Sequence, residues 1–392
     1  MEQRSIKAAT KWRIYSGTNA LKGRIMNTAD HMIECLINEG VKRIFGYPGI
    51  GNQTFLDSVY KYPQIEFFLV RHEQVAALTA DAYARITGFP AVCTATYGGG
   101  ATNLVNGIAQ AYKEMSPVIA IAGERLPGKD QRNIDQPSVF RPITKLAVSI
   151  KDPAQAPGAI RSAFHVASTE PVGPVYIGLP TDVAAMQIDT ASSFEQNIAA
   201  DRSELTRESS LWPHALNPED VMTEISHIIP PDAIVTVDVG DIMVYMQRFL
   251  EKKDRQIIRT GNFYSMGFGL PAAMAAKIAR PDSEVYCIVG DGGLAMVVHD
   301  LETAVRENLK VNIIVLNNST LSMIRRRQIN SYERRIIGCD FCDIDFATIA
   351  HGFCAAGERV TSMDELKTGM ENAHRSELPY VLDIVVGWDE GL

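Results

Sequence analysis

Long hydrophobic runs are missing from this sequence. No stretch approaches the ~18 consecutive apolar residues of a membrane-crossing helix, so a membrane protein is not expected. Cysteine is sparse, with 6 scattered over 392 residues. That excludes a disulfide scaffold and suggests reduced thiols in a cytoplasmic setting. Positive charge is in deficit, with Lys+Arg 38 against Asp+Glu 46 and a net charge of −8. An acidic chain argues against nucleic acid as the main partner, yet leaves room for a local basic pocket. No G-x-S-x-G elbow, no G-x-x-x-x-G-K-[ST] loop and no G-x-G-x-x-G fingerprint occurs. A triad hydrolase and the common nucleotide-binding α/β proteins are therefore disfavoured.

What is present is globular: 46% hydrophobic and 21% charged residues supply cores for two or three domains. Residues 1–26 stand apart as a basic arm, with Arg4, Lys7, Lys11, Arg13, Lys22 and Arg24 against the single acid Glu2. It lacks the apolar stretch of a secretory signal. From Asn27 the pattern becomes regular. Met32, Ile33, Leu36 and Ile37 recur at helical spacing, with Thr28 as N-cap and Gly40 as stop. Apolar strands at 43–47, 66–70, 91–96, 118–122 and 174–178 alternate with helices, the main ones at 74–87 and 103–113. That rhythm predicts a doubly wound parallel sheet over 27–180. Residues 181–217 break it with Ala, Ser, Asp, Glu and Arg, and read as a surface linker. A second α/β series fills 218–392, with strands at 233–238, 284–289, 311–317 and 380–386.

The most specific signal lies in this second half. The apolar strand Val285–Val289 runs into Gly290, Asp291, Gly292 and Gly293, and the next strand ends in Asn317 and Asn318. Both points sit at carboxyl edges of parallel strands, where open α/β sheets bind ligands. Asp291 and Asn318 offer hard oxygen donors of the kind Mg²⁺ takes, and the glycines admit a phosphate close to the backbone. Each segment alone is equally an ordinary βα turn or strand end. Their pairing in this order favours the metal reading.

That pair resembles the cofactor motif of the thiamine-diphosphate-dependent 2-oxo acid decarboxylase and acetolactate synthase superfamily. Further segments are similar to the same family: Gly46-Tyr47-Pro48-Gly49, Arg71-His72-Glu73-Gln74, Gly98 to Asn103, and Ser265 to Ala273. The resemblance implies two thiamine-diphosphate-binding domains, a pyrimidine type followed by a diphosphate type. It implies thiamine diphosphate and Mg²⁺ as cofactors. Glu73 is then the glutamate that activates the aminopyrimidine, Gly49, Gly99, Asn103 and Gly240 line the cofactor, and Met266 props its bent form. Gly290, Gly292 and Gly293 follow the diphosphate, and Asp291, Asn318 and the Thr320 carbonyl hold the metal. Structural roles remain open beside these: a helix N-terminal acid for Glu73 and a core methionine for Met266.

Departures from the family pattern shape the remaining expectations. Acetolactate synthases carry Gly-Gln-His where this chain has Gly240-Asp241-Ile242, which sets an acid beside the expected phosphates. Gln136 matches their active-site glutamine loop and is a candidate catalytic or substrate contact. The linker is too short for the middle domain that holds FAD in those enzymes, so an FAD site is not expected. In domain content the chain resembles the compact phosphonopyruvate and sulfopyruvate decarboxylases. Arg325, Arg326 and Arg327 then read as substrate ligands for an anionic oxo acid, or else as a solvated helix face. Cys339-x-x-Cys342 has too few suitably spaced partners for zinc and reads as ordinary thiols. The expected activity is decarboxylation of a small 2-oxo acid. Carboligation of two oxo acids is the alternative, and a non-catalytic cofactor-binding paralogue is a third reading. Family precedent implies a homodimer or homotetramer with sites at the subunit interface.

Overall fold

The computed structural model of the protein describes residues 26–125, 134–187, 215–250, 255–331, 334 and 338–387. The basic arm, apart from Met26, and 188–214 of the expected linker lie outside the described residues. Residues 181–187 do not read as linker, since Thr181–Ala185 is a short helix and Gln187 bridges back to Asn27.

The first half is a sheet of β1 (Arg43–Gly46), β2 (Glu66–Leu69), β3 (Ala91–Ala95), β4 (Val118–Glu124), β5 (Leu146–Ser149) and β6 (Val175–Pro180). The second half contains β7 (Ile234–Val237), β8 (Gln256–Arg259), β9 (Val285–Gly290), β10 (Asn312–Asn317), β11 (Ala356–Val360) and β12 (Tyr380–Val385). The first sheet runs β2-β1-β3-β4-β6-β5 and the second β11-β12-β10-β9-β7-β8, all pairs parallel. Read from the opposite edge, the second order repeats the first. Central strands such as β3, β4 and β10 are buried along their whole length, as helices on both faces require. The edge strands β5, β8 and β11 carry half-exposed positions and were not anticipated from the sequence.

Three helix starts also differ from expectation. Asn27, not Thr28, caps the first helix: its side chain accepts the Asp30 N–H while Asp30 answers the Asn27 N–H. The helix Glu73–Thr87 starts one residue early, with the His72 ring nitrogen accepting the Gln74 N–H at 3.2 Å. The expected glycine loop 98–102 is largely helix, because Gly99–Lys113 begins four residues earlier than glycine propensity suggests. Tertiary packing overrides that propensity: a Cβ on Gly107 would come within 2.5 Å of the Ala77 methyl in the neighbouring helix.

The two halves share one core. Val75, Ala76, Leu78 and Ala80 from the first half join Phe268, Leu270, Ala272 and Ala276 from the second in a continuous buried cluster. Small residues let the helices Glu73–Thr87 and Gly269–Ala279 approach closely. Polar links reinforce the seam: Arg85 donates to the Arg259 carbonyl at 2.6 Å, and Asn106 to the Ser265 hydroxyl at 2.7 Å. No helix among the described residues is long and apolar enough to cross a membrane.

Candidate active site

In each sheet the strand order reverses between β1 and β3 and, correspondingly, between β7 and β9, with a second reversal at the far edge where β5 and β11 lie outside β6 and β12. Such switch points open a crevice at the carboxyl ends of the strands. In the first half the glycine backbone after β1 packs against side chains that follow β3. A Cβ on Gly49 would sit 2.5 Å from Thr96 Cβ, and one on Gly51 2.2 Å from the Tyr97 ring. In the second half the crevice is a cavity. Gly240, Asp241, Tyr264, Met266, Asp291 and Asn318 are among the residues of its wall.

Gly240 follows β7 with φ 142°, a left-handed value that favours glycine, and turns the chain into the helix Asp241–Phe249. A Cβ added at Gly240 or at Gly290 would meet nothing within 4 Å, so both backbones face open space. Gly292 and Gly293 are packed instead: a Cβ there would come within 2.8 Å of Leu321 and 3.0 Å of the Asp238 carboxylate carbon.

Asp291 is 5% exposed. Its Oδ1 accepts the Gly292 N–H at 2.8 Å, and its Oδ2 is buried with no hydrogen-bond partner among the described residues. Burial pushes its carboxyl up to about 6, against the pull of the Gly292, Ser319, Thr320 and Asn318 backbone N–H groups. A buried carboxylate oxygen without a partner is unfavourable unless a cation completes it. Asn318 donates its amide to the Ser322 hydroxyl at 2.7 Å, which fixes the side chain with its carbonyl oxygen free of that bond. Thr320 lines the cavity too; its hydroxyl bonds the Cys339 carbonyl at 2.9 Å and Asp340 at 3.0 Å, and its carbonyl accepts the Ser322 N–H at 2.9 Å. One carboxylate, one amide oxygen and one peptide carbonyl form a hard donor set that fits Mg²⁺ with phosphate oxygens and water.

Asp238 went unremarked in the sequence. It is fully buried at the end of β7 and accepts N–H bonds from Gly267 at 3.0 Å, Gly269 at 2.7 Å and Val239 at 2.7 Å. It thereby anchors the segment carrying Met266. Burial pushes its carboxyl up to about 6 despite these donors. An acid between a buried strand and a glycine was the available signal.

Glu73 lies in the first half, 7% exposed, at the start of its helix. Asn103 donates to its Oε2 at 2.9 Å, and its Oε1 occupies space that a Cβ on Gly100 would contest at 2.9 Å. Gly99 is open around its Cα. Neither Glu73 nor Asn103 lines the cavity of the second half.

Four expected contacts stand elsewhere. Gln136 is fully buried: its Oε1 accepts the Gly98 N–H at 2.7 Å, and its Nε2 donates to the Gly123 carbonyl at 2.9 Å and Tyr176 at 2.7 Å. Its amide holds the Gly98 turn, and it does not line the cavity of the second half. None of Arg325, Arg326 and Arg327 lines the cavity. Arg325 pairs with Asp340, and Arg326 is 1% exposed with its Nη2 2.6 Å from Asp241 Oδ2. Arg327 is half-buried on the same helix, Ser322–Ser331. That helix reaches the cavity through Ser322, Met323 and Ile324 instead. Among the described residues no cluster of three or more His, Cys, Asp or Glu could hold a metal, and Cys339 is buried while Cys342 is exposed.

Two parallel α/β sheets of one topology, with a cavity at the switch point of the second, are the architecture of a two-domain α/β protein with a ligand site at its strand ends. Residues 26–140 match the N-terminal TPP-binding domain of thiamine pyrophosphate enzymes, and residues 238–384 match their C-terminal TPP-binding domain. The chain belongs to the thiamine pyrophosphate enzymes. It is 26% identical to the "Probable acetolactate synthase large subunit" of Methanocaldococcus jannaschii, over 94% of this chain and 93% of that protein. It is 24% identical to the acetolactate synthase of Bacillus subtilis, over 93% and 94%, and 24% identical to the acetolactate synthase isozyme 2 large subunit of Escherichia coli, over 92% and 96%. The first of these alignments runs over 550 positions against 392 residues here, so that relative carries well over a hundred residues this chain lacks.

Proposed function

We propose that this chain is a thiamine-diphosphate- and Mg²⁺-dependent carboligase, which decarboxylates a small 2-oxo acid and joins the remaining fragment to a second carbonyl compound. The observation that carries the cofactor reading is the buried Asp291 Oδ2 without a protein partner, beside the open backbone of Gly290. The carboligase reading is supported by relatives named acetolactate synthase that align along more than nine-tenths of the chain. Thiamine diphosphate, when bound, supplies the carbon nucleophile and the electron sink. The chain's own residues do the rest. Asp291, Asn318 and the Thr320 carbonyl would hold Mg²⁺, and the backbone at 240 and 290 would take the diphosphate. Met266 would support the cofactor from the wall. Glu73, kept in place by Asn103, would exchange a proton with the pyrimidine nitrogen.

Because the cavity wall comes from the second half alone, Glu73 would reach it from another copy of the chain. An obligate dimer, or a tetramer of two dimers, is part of this proposal.

Decarboxylation to a free aldehyde is the second reading, favoured by the length missing relative to the acetolactate synthases. An arginine run facing an anionic substrate lends it less support, because Arg325 and Arg326 are held in ion pairs with Asp340 and Asp241. The test is product analysis by NMR across a panel of 2-oxo acids with Mg²⁺ and thiamine diphosphate. An acetohydroxy acid or 2-hydroxy ketone is expected. Free aldehyde as the sole product would replace the carboligase with the decarboxylase.

A further inference from the structure

The wall of the cavity carries two carboxylates, Asp291 and Asp241. Asp291 has a metal to serve. Asp241 has no such task, and it opens the helix Asp241–Phe249, whose N-terminal N–H groups would otherwise be offered to a phosphate. An uncompensated carboxylate there would repel a diphosphate. A buried cation faces it: Arg326 reaches from the helix Ser322–Ser331 to put Nη2 2.6 Å from Asp241 Oδ2. Arg326 is among the largest fully buried side chains of the described residues. Its Nε and Nη1 have no hydrogen-bond partner among those residues. A guanidinium buried with donors to spare is far from its favoured surroundings and is held by the anion it serves.

We infer that Arg326 is a positioning residue for the cofactor: it neutralises Asp241 and holds its carboxylate on the Arg326 side, so that the end of the cavity at Gly240 accepts a diphosphate. This rests on the cofactor reading above. Two residues distant in sequence thus act as one neutral unit, and neither is understandable alone. Asp241 without Arg326 repels the ligand, whereas Arg326 without Asp241 adds a cation that the ligand tolerates.

The test is thiamine diphosphate affinity by isothermal titration at fixed Mg²⁺, with apo-protein melting temperature as the control for folding. R326Q should weaken binding by about 10- to 100-fold, as expected when a like charge is left facing a bound anion. D241N should bind at least as tightly as the wild type. D241N/R326Q should recover most of the loss, because the repelling charge is gone. Binding by R326Q within about twofold of the wild type would overturn the inference. A double variant as weak as R326Q would overturn it as well, since Arg326 would then act through packing. If R326Q does not fold, the comparison of D241N with D241N/R326Q decides. Similar affinities support the inference, and a gap of about tenfold or more defeats it. No binding by the wild type would instead overturn the cofactor reading, and this inference with it.

Discussion

Asn103 donates its side-chain amide to Glu73 Oε2 at 2.9 Å, joining the first turn of one helix to the second turn of its neighbour around a buried carboxylate. Glu73 keeps the folded chain's shape in its amide form, since Gln is isosteric. E73Q is expected to retain wild-type circular dichroism and melting while product formation falls by about 10²–10⁴, the size of a lost general acid–base group. Turnover near the wild-type rate would remove Glu73 from the mechanism.

Removal of the metal should act through Asp291. Chelation of Mg²⁺ by EDTA is expected to abolish thiamine diphosphate binding measured by titration, and restored Mg²⁺ to return it. D291A should stay insensitive to added Mg²⁺. Metal-independent binding in the wild type would contradict the donor set described above.

Shared sites can be read from mixtures. Chains carrying E73Q and chains carrying D291A are each expected to be inactive. Their hybrid dimers contain one intact site each and should recover measurable product formation. Subunit exchange verified by mass tags without any recovery would argue that each chain works alone.

Asp81 sets a pH dependence. It is fully buried at the seam between the halves, Arg85 Nη1 lies 3.6 Å away, and its Oδ1 has no hydrogen-bond partner among the described residues. Burial, only partly opposed by the Arg85 charge, pushes its carboxyl from 3.8 up to about 6. The folded state therefore holds this proton more tightly than the unfolded state. The resulting stability is fully present below pH 3.8 and is lost as pH rises through about 6. The span corresponds to a change on the order of 3 kcal/mol for this one group. Urea titrations across that window should show D81N with a flatter slope than the wild type. Parallel slopes would mean that Asp81 does not titrate there.

Gln136 is open to a stability test. Q136L removes one acceptor and two donor contacts from a fully buried position, leaving the Gly98 N–H and the Gly123 carbonyl unpaired. A loss of about 1–3 kcal/mol in urea unfolding is expected. An unchanged midpoint would show that water replaces the amide.

The sequence was most legible where local chemistry is dense. Val285–Val289 is a buried strand by composition, and Gly290-Asp291 at its end can be placed at a sheet edge without knowing any tertiary contact. The same holds for Asn317 and Asn318. Legibility failed where the decisive partner is remote. Nothing local shows that Arg326 turns inward to Asp241 from far along the chain, so a run of arginines reads as surface or substrate ligand. Nothing local shows either that Gln136 bonds Gly98 and Tyr176, which lie 38 and 40 residues away in the chain. The edge strands β5, β8 and β11 are short and half-exposed, so they carry little periodic signal. The repeat of one strand order in both halves left no trace in the residues, because many side-chain sets fill the same layers.

The core that runs unbroken from Val75 to Phe268 has a dynamic consequence. A hinge between the halves would have to unseal the alanine-lined contact of Glu73–Thr87 with Gly269–Ala279, exposing apolar surface on both sides. Such breathing is far less favourable than movement of a segment with few buried side chains. Substrate entry and product exit therefore fall to peripheral pieces. Ser322–Ser331 is such a piece, since it edges the cavity while burying only Ser322, Arg326 and Ile329.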